Sequence, residues 1–373
     1  MRITYLASAA IPSTSANSLQ VLKMCEAMVG EGHAVTLLAP RMAPAGEPDS
    51  ESVSEYYGLR RAPEIRRANI PRLVGRRGLA WRMGRRARQL APDIVYTRGV
   101  DFALAASWFQ QRVVLELHQL PSGQLGPLYL RFFLRSPGCR RVVVITPRLH
   151  ELLVSAFPAA RRVEILVAGD AFDDEKYRAL LDPREARRML GIAVRGVAAG
   201  YFGSVVPGRG VETILVMARE LPEVYFLIAG SSERPPGELP ANLLWLGRIP
   251  PARVALHQAA CDVLLMPYQA RVTVQGKGDT AEVMSPLKLY EYMAAERLIL
   301  SSDLPALRAM LDEGNSLLLP ADDPSAWVAA LRRGLHSPDL RRRLAHQARL
   351  DVAPHTWRNR VRTVLADLEG GAR

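Results

Sequence analysis

A glycine-containing loop with one arginine is the first stretch whose residue types suggest chemistry. It runs YFGSVVPGRG from Tyr201 to Gly210, between an apolar run and a helical pattern. Gly203 and Gly210 let a ligand approach the backbone closely, and the planar guanidinium of Arg209 can bind phosphate oxygens. The third glycine of a dinucleotide fingerprint is absent, because Thr213 stands there. These residues leave two interpretations open, a phosphate-binding loop and an ordinary strand-to-helix turn.

A second polar loop extends from Gln269 to Pro286 and ends at Ser285-Pro286, a favourable helix start. The helix that follows carries Lys288 and Glu291 within two turns. If its N-terminus faces a nucleotide, the carboxylate can accept hydrogen bonds from both ribose hydroxyls. The alternative is a surface residue on an amphipathic helix.

Several other kinds of site are not indicated by the sequence. The chain has no Asp-x-Asp triplet for a metal–diphosphate complex, and Gly276-Lys277 is followed by Gly278, so there is no Walker A motif. The three cysteines lie far apart, which predicts neither a zinc site nor a disulfide framework and favours the reducing cytoplasm. No nucleophilic triad or carboxylate pair can be assigned. We therefore expect no metal and no cofactor.

Length and composition limit the classes of protein. A chain of 373 residues predicts two domains, and 49% hydrophobic with 23% charged residues excludes a disordered or coiled-coil chain. No apolar run reaches about 18 residues, the length of a membrane-spanning helix. The short apolar start, Met1 to Ile11, fits a signal peptide or a first strand. The helical pattern directly after it favours the strand.

The positive charge is concentrated in one segment. Residues 60–88 hold eleven arginines and one acid, which accounts for +10 of the net charge of +12. Such a patch indicates an anionic partner, although arginine is also the chain's usual cation, since only four lysines occur. Leu79, Met83, Ala87 and Leu90 repeat at helical spacing and should pack inward. Residues 60–78 are expected to be irregular, and Arg77, Arg82, Arg85 and Arg88 should point outward.

Strand and helix patterns alternate along both halves, which predicts two parallel sheets with helices on both faces. The first half has strands at 2–7, 33–39, 93–97, 112–117, 141–146 and 163–167, with helices at 18–30, 79–90 and 100–110. The second has strands at 197–202, 224–229, 243–246, 263–266 and 298–301, with helices near 210–221, 251–260, 285–295, 304–313 and 324–335. We predict domains at 1–167 and 184–345, a linker at 168–183, and a helical tail, 346–373, that packs across the interface.

The motifs together resemble family 4 glycosyltransferases. The matching stretches in the second half include YFGSVVPGRGVETIL, FLIAGSSE and SPLKLYEYMAAERLILSSDLPALRAM, and GDAFDDEKY resembles the family's interdomain hinge. The first half matches more loosely, through NSLQVLKMCEAMVGEGHAVTLLAP, DIVYTRGVDFALAA and VVLELHQLP. The resemblance implies the GT-B fold, two Rossmann-like doubly wound α/β domains facing a central cleft. It also implies transfer of a sugar from a nucleotide donor with retention at the anomeric carbon.

The resemblance also implies roles for individual residues. Three residues are candidate catalytic residues. Arg209 matches the positively charged residue that neutralises the leaving phosphate, His118 matches a histidine near the transferred sugar, and Glu282 is the third. The implied donor-binding set is Gly203, Ser204, Arg209, Gly230, Arg248, Ile249, Ser285, Leu287, Lys288 and Glu291. The implied acceptor-binding set is Asn17, Ser18, Arg98 and His118.

The sequence departs from the family pattern at three places. The first of the family's two glutamates, counted back from Glu291, falls on Val283, with Glu282 one place earlier. Either Glu282 takes that role or sugar recognition differs. Ser204 stands where an arginine is common, and residues 12–18 replace a Gly-Gly pair. Acceptor chemistry is therefore less well defined than donor chemistry.

The expected function is metal-independent retaining glycosyl transfer in bacterial glycan, glycolipid or secondary-metabolite synthesis. A UDP-sugar is the favoured donor, and the acceptor is a hydroxyl, with a lipid-linked acceptor as one option. Arg60 to Arg88 could then hold the protein at an anionic membrane, on its cytoplasmic face. A sugar-nucleotide epimerase is one alternative. A nucleic-acid-binding protein is another, but Trp81 is the only aromatic residue in the arginine segment, and we expect no nucleic-acid partner.

Overall fold

The computed structural model describes residues 1–41, 50–69, 75–179, 181–271, 273–274, 278–279 and 282–368. The chain divides into two compact units. The first comprises Met1–Asp170 and Trp357–Arg373, and the second comprises Ala171–Thr356.

The first unit is built on a seven-stranded parallel sheet in the order β3-β2-β1-β4-β5-β6-β7. Its strands are β1 (Arg2–Leu6), β2 (Ala34–Arg41), β3 (Glu64–Asn69), β4 (Ile94–Thr97), β5 (Val113–Leu117), β6 (Cys139–Val144) and β7 (Ile165–Val167). Its helices are α1 (Ala16–Gly30), α2 (Ser50–Tyr57), α3 (Arg76–Gln89), α4 (Val100–Trp108), α5 (Gly126–Arg135) and α6 (Pro147–Ala156), with a short 3₁₀ helix at Pro158–Arg162. Every residue of β4 and β5 is buried, as expected for parallel strands covered on both faces.

The second unit repeats this architecture with a six-stranded parallel sheet in the order β10-β9-β8-β11-β14-β15. Its strands are β8 (Val197–Phe202), β9 (Val224–Ala229), β10 (Leu243–Trp245), β11 (Val263–Met266), β14 (Leu298–Ser302) and β15 (Leu317–Leu319); β12 (Thr273–Val274) and β13 (Gly278–Asp279) form an antiparallel pair. Its helices are α7 (Pro183–Leu190), α8 (Val211–Glu220), α9 (Val254–Ala259), α10 (Leu287–Ala294), α11 (Pro324–His336) and α12 (Pro338–Val352), with a 3₁₀ turn at Pro251–Arg253.

The last helix returns to the first unit. Helix α13 (Trp357–Leu365) packs against α1, whereas α12 packs against α10 and β14 in the second unit. The predicted tail, 346–373, thus begins inside α12 and is divided between the two units at 356/357.

In both sheets the strand order reverses beside the first strand, at β1/β4 and at β8/β11. Ligands of doubly wound folds bind outside the carboxyl ends of the strands at this reversal point. The loops after β1, β4 and β5 leave that edge in the first unit, and those after β8, β9 and β11 leave it in the second. The prediction of two doubly wound α/β domains is confirmed.

The helix predicted near 304–313 is wrong. This stretch forms hydrogen-bonded turns instead, for example from the N–H of Leu307 to the carbonyl of Leu304. The Asn315 side chain donates to the carbonyl of Met310 and accepts from the N–H of Asp312. These side-chain bonds occupy backbone groups that a longer helix would need.

The prediction of irregular chain over 60–78 is wrong for Glu64–Asn69, which is strand β3, and from Arg76, where α3 begins. The sequence does not predict β3 because the strand lacks an apolar run. It lies at the edge of the sheet, where polar and charged side chains are tolerated. Arg72 lies outside the described residues.

Helix α3 orients its side chains as its spacing predicts. Leu79, Met83 and Ala87 are buried, whereas Leu90 is only half-buried. The arginines Arg82, Arg85 and Arg88 are exposed.

Candidate functional site

The candidate donor site is formed by loops at the carboxyl edge of the second sheet. The N–H of Gly203 donates to the carbonyl of Ala229, and the N–H of Gly230 donates to the carbonyl of Gly247, at 2.9 Å each. These bonds tie together the ends of β8, β9 and β10. The predicted donor residues Gly203 and Gly230 therefore lie side by side, although 27 positions separate them.

Two glycines are required by close approaches in this edge. Gly210 has φ +73°, and a Cβ atom built there would lie 1.6 Å from the carbonyl oxygen of Pro267. A Cβ at Gly203 would lie 2.2 Å from the Nζ of Lys288. A side chain at Gly203 would therefore displace the lysine.

Two cations meet around buried tyrosine rings at the same edge. The Arg209 guanidinium carbon lies 4.6 Å from the centre of the Tyr268 ring. The Lys288 Nζ lies 3.8 Å from the Tyr201 ring centre and 5.1 Å from that of Tyr268. Within the described part of the chain, neither the Lys288 Nζ nor the buried Arg209 Nε has a hydrogen-bond partner. Cation–π contact offsets only part of the cost of burying these charges.

The tyrosines cannot neutralise these cations. Burial raises the pKa of the Tyr201 hydroxyl well above its ordinary value and also raises that of Tyr268, so both remain neutral phenols. Burial, reinforced by the positive charge of Arg209, holds the pKa of Lys288 well below its usual range. An anion bound between the two cations would reverse that shift. The arrangement is suited to an anionic ligand.

The helices that begin at this edge leave their first N–H groups without side-chain caps. Helix α8 begins after Gly210 and α10 begins after Pro286, neither with a capping hydrogen bond from a side chain. Free N–H groups and the helix dipole at such ends favour phosphate. The site thus offers two cations and two helix N-termini to an anion.

The other predicted donor residues lie around this edge with different exposures. Ser285, which precedes α10, is buried, and its hydroxyl is 3.1 Å from that of Tyr290. Glu291 lies within α10, and its carboxylate accepts a hydrogen bond from the Gln258 side chain at 3.4 Å. The half-buried and exposed members are Ser204, Arg248, Ile249, Leu287 and Glu291.

In the first unit, three of the four predicted acceptor residues belong to one hydrogen-bond network. Arg98, directly after β4, donates to the Asn17 side chain at 2.8 Å and to the Gln20 side chain at 2.9 Å. Gln20 donates to the fully buried carboxylate of Glu116 at 2.6 Å. His118, directly after β5, bonds the same carboxylate through Nε2 at 2.5 Å. The fold therefore joins Asn17, Arg98 and His118 through two residues absent from the predicted set.

The fourth, Ser18, does not join this network. It is fully buried, and its hydroxyl donates to the carbonyls of Ser13 and Ser15 and contacts the Tyr57 hydroxyl at 2.9 Å. These bonds stabilise the loop that precedes α1.

Comparison with known proteins identifies the family. A model described as Glycosyltransferase Family 4 matches residues 19–169, and one described as Glycosyl transferase-like matches residues 209–366. The two matches divide the chain much as the structure does.

The chain belongs to glycosyltransferase family 4.

Curated relatives agree with this assignment. The glycosyltransferase is 26% identical to phosphatidyl-myo-inositol mannosyltransferase of Mycobacterium tuberculosis over 90% of this chain and 88% of the relative. It is 25% identical to alpha-galactosylglucosyldiacylglycerol synthase of Streptococcus pneumoniae over 60% of this chain, and the match spans only 63% of that relative.

Solved structures show the GT-B fold. The glycosyltransferase superposes on Anabaena HepE, solved with UDP-glucose, with a TM-score of 0.73 at 15% identity over 99% of both chains. It superposes on sucrose-phosphate synthase of Thermosynechococcus elongatus with a TM-score of 0.72 at 16% identity over 97% of both chains.

Glu282 and Val283 are the two residues at or next to the position of the family's first glutamate. In this glycosyltransferase Val283 is buried and Glu282 is exposed. Part of the preceding loop, including Lys277, lies outside the described residues. The role of Glu282 remains a prediction.

The sequence analysis missed Glu116, Gln20 and the two tyrosines of the donor edge. It also missed Arg360, which donates to the Glu116 carboxylate at 3.1 Å. Glu116 occurs in the strand sequence VVLEL, and one charged residue amid four apolar ones in a buried strand is the signal that could have found it. Arg360 gives no such signal, because arginines are common throughout the last 40 residues.

Proposed function

We propose that this glycosyltransferase moves a sugar from a nucleotide diphosphate donor to an acceptor hydroxyl with retention at the anomeric carbon. The observation that carries the proposal is a pair of buried cationic nitrogens, Arg209 Nε and Lys288 Nζ, that have no hydrogen-bond partner in the described chain and lie at the reversal point of the second sheet. Buried donors of charged groups are normally hydrogen-bonded, so two cationic side chains with unused buried nitrogens at a ligand edge fit a diphosphate that accepts from them.

The proposed step requires stabilisation of the leaving group. The bond between the anomeric carbon and the diphosphate oxygen breaks, the acceptor oxygen bonds that carbon on the same face, and the acceptor proton passes to the leaving phosphate. Negative charge grows on the diphosphate as the bond breaks. We propose that Arg209, Lys288 and the N–H groups of α8 and α10 stabilise it, as preorganised donors do in oxyanion holes.

Lys288 also accounts for the departure at Ser204, where the family often has an arginine. Ser204 is exposed, and the space beside Gly203 is occupied instead by the Lys288 ammonium, against the Tyr201 ring. Lys288 therefore supplies the second positive charge from a different element. With two cations for the diphosphate, we propose that transfer needs no divalent metal.

We propose UDP as the nucleotide, because relatives of the same fold were solved with UDP and UDP-glucose. The test is thermal unfolding with UDP, GDP, ADP and dTDP. A ligand at 100 times its dissociation constant stabilises the folded state by about 2.7 kcal/mol. Stabilisation by none of the four nucleotides contradicts the proposal, and stabilisation by another than UDP corrects only the base.

Retention is tested separately on the nucleotide sugar that stabilises the protein most. The anomeric configuration of the transfer product, followed by proton NMR at early times, should equal that of the donor. An inverted product contradicts the proposed same-face reaction and leaves nucleotide binding intact.

We further propose a lipid-linked acceptor at an anionic membrane surface. The names of the two curated relatives contain a lipid, phosphatidyl-myo-inositol in one and a diacylglycerol in the other. The first unit also has a surface suited to such a membrane. Trp108 is 70% and Trp81 43% exposed, and their rings contact edge to face with centroids 5.6 Å apart. Tryptophan favours the membrane interface, and the exposed arginines of α3 add attraction to anionic lipid.

Helix α5 extends this surface. It packs on α4, as α3 does, and it leaves Leu128 and Phe132 exposed beside Arg131 and Arg135. The tryptophans and this helix thus combine apolar and cationic groups, the composition of interfacial docking surfaces. Within the part of the chain that the structure describes, no helix is both long and apolar enough to span a bilayer.

Co-sedimentation with phosphatidylglycerol vesicles tests this surface. Binding should be clear at low salt and fade at high salt, because each arginine contributes about 1 kcal/mol that ions screen. Replacing Arg82, Arg85 and Arg88 with Gln, or Trp108 with Ala, should weaken it. The matched control replaces three exposed arginines of the second unit, Arg195, Arg219 and Arg343. Equal loss in the control, or no binding by the unmodified protein, contradicts this docking surface.

A further inference from the structure

The fully buried carboxylate of Glu116 accepts four side-chain hydrogen bonds in the first unit. Its Oε1 accepts from Gln20 and His118, at 2.6 and 2.5 Å, and its Oε2 accepts from the Tyr96 hydroxyl and from Arg360 at 3.1 Å. Four donors occupy the four acceptor directions of a carboxylate. Such a group has no capacity left for a substrate, so its role must be exercised through its partners.

Arg360 reaches this carboxylate from the C-terminal helix α13. Its guanidinium is buried and also donates to the carbonyls of Gly169 at 2.7 Å and Ala168 at 3.2 Å. The last helix therefore places a fixed positive charge beneath the carboxyl ends of β4 and β5. Although burial alone would raise the pKa of Glu116, Arg360, His118 and Arg98 hold it well below its ordinary value. Glu116 is thus a carboxylate, which can only accept hydrogen bonds.

An ionised Glu116 determines the tautomer of His118. Its Nε2 must carry the proton that the carboxylate accepts, which leaves Nδ1 with a lone pair. Burial and the positive charge of Arg98 lower the pKa of His118 to about 4, against the opposing effect of Glu116. The imidazole is therefore neutral at pH 7. One fifth of the side chain remains exposed.

We propose that Glu116, held by Arg360, is a positioning residue that presents the Nδ1 of His118 as a hydrogen-bond acceptor, so that His118 recognises a sugar or acceptor hydroxyl rather than an anionic group. This rests on the proposed function, because it assumes that His118 contacts a substrate. The neighbouring groups support it, since Arg98 is engaged by Asn17 and Gln20 and the Tyr96 hydroxyl by Glu116. His118 is then a member of the network that is partly exposed and keeps one ring nitrogen that Glu116 does not occupy.

The tautomer can be read directly on the unmodified full-length protein. Two-dimensional NMR with ¹⁵N-labelled histidine distinguishes the Nε2–H from the Nδ1–H form, and the His118→Gln variant assigns the signal. We expect a single Nε2–H tautomer at pH 7 with an apparent pKa below 5. A protonated ring at pH 7, an Nδ1–H tautomer or averaging between the two overturns the proposal, whatever the activity.

Variants then test whether the orientation of His118 by Glu116 affects turnover. Glu116→Gln should lower kcat/KM for the acceptor by roughly 10- to 100-fold, the size of effect for groups that orient a functional histidine. The UDP dissociation constant should be unchanged, because the cation pair lies in the other unit. Conservative Arg360→Lys should retain more activity than Arg360→Gln, and in Arg360→Gln the acid limb of kcat/KM should move to higher pH as the pKa of His118 rises.

These results separate two kinds of failure. If UDP does not stabilise the unmodified protein, the proposed function is contradicted. The NMR experiment still tests the tautomer of His118, because it does not depend on UDP binding. If UDP binds, the tautomer is as expected and Glu116→Gln keeps full activity while remaining folded, the positioning role is wrong.

Discussion

The Glu116 network of the first unit and the donor edge of the second hold their buried charges in opposite ways. In the first, one carboxylate is surrounded by four donors, and every charge of the cluster has a partner. In the second, the side-chain nitrogens Lys288 Nζ and Arg209 Nε are buried with no hydrogen-bond acceptor in the described chain. Folding normally satisfies buried polar groups, so a fully bonded cluster is typical of structural support, whereas two cationic side chains with unused donors at a ligand edge are typical of a binding site. The donor edge thus has the character of a binding site, and the Glu116 network that of a scaffold for one.

The sharpest test of this contrast is stability after removal of one cation from each cluster. Arg360→Met leaves the buried Glu116 carboxylate without its charge partner, which should cost about 3–5 kcal/mol of unfolding free energy. Lys288→Met removes a buried amine whose Nζ has no hydrogen-bond partner in the described chain, so it should leave stability unchanged or higher. Chemical denaturation of both variants measures the difference. Equal losses would erase the distinction between the units.

The largest catalytic effect should come from Arg209. Arg209→Ala removes a donor to the leaving diphosphate and should lower kcat/KM by roughly 10²- to 10³-fold. The thermal midpoint should hardly move, since the residue lies in a surface loop. Arg219→Ala, an exposed arginine at the end of α8, is the matched control. An activity loss below about threefold removes Arg209 from the site.

Lys288→Met should weaken UDP binding by about 10- to 100-fold, corresponding to one charged hydrogen bond of about 1.5–3 kcal/mol. Gly203→Ala should have the same effect, because its methyl group would displace the ammonium. Isothermal titration calorimetry gives both dissociation constants. Unchanged UDP affinity in Lys288→Met, with the protein folded, assigns the lysine to packing alone.

UDP affinity should also depend on pH through Lys288. Burial and the charge of Arg209 lower the pKa of Lys288 in the free protein, and a bound diphosphate should raise it again. At a pH above the pKa of the free protein, UDP binding should therefore be accompanied by the uptake of a proton. Affinity then falls as pH rises, by at most tenfold per unit. The measurement belongs above about pH 7.5, where the terminal phosphate of UDP, with a pKa near 6, is fully ionised. Calorimetry in buffers of different ionisation enthalpy counts the protons, and Lys288→Met should show none.

The smallest expected effect is that of chelation. If the two cations replace a divalent ion, excess EDTA should leave the transfer rate unchanged. Abolition by EDTA, with recovery on adding Mg²⁺ or Mn²⁺, means that the charge on the diphosphate is neutralised in another way.

Much of the donor edge could be predicted because its residues are close in sequence to the strand ends that position them. Arg209 follows β8 within one loop, and Lys288 lies in the first turn of α10, so alternation of strands and helices already places both at one edge. The stacking of Lys288 on Tyr201 could not be predicted. It depends on the absence of a Cβ at Gly203 in another loop.

The acceptor side was less predictable for the same physical reason. Asn17, Arg98 and His118 were predicted, but they are linked through Gln20 and Glu116. These two were not predicted, because in the sequence they are ordinary members of a helix and of a buried strand. Ser18, next to Asn17, points instead to Ser13 and Tyr57. Adjacent residues on a helix diverge by about 100°, so a one-residue choice decides which network a side chain joins.

The sequence by itself determined the alternating elements, the two sheets, the family and the cations of the donor loop, since periodicity and motifs are local properties. Tertiary structure alone decided which charges are paired. Glu116 and Arg360 are 244 positions apart and meet only because α13 returns to pack on α1. The same long-range folding leaves Lys288 against the rings of two neutral tyrosines, Tyr201 and Tyr268. Pairing of buried charges depends on distances of a few ångströms across separate elements, and no spacing along the chain encodes them.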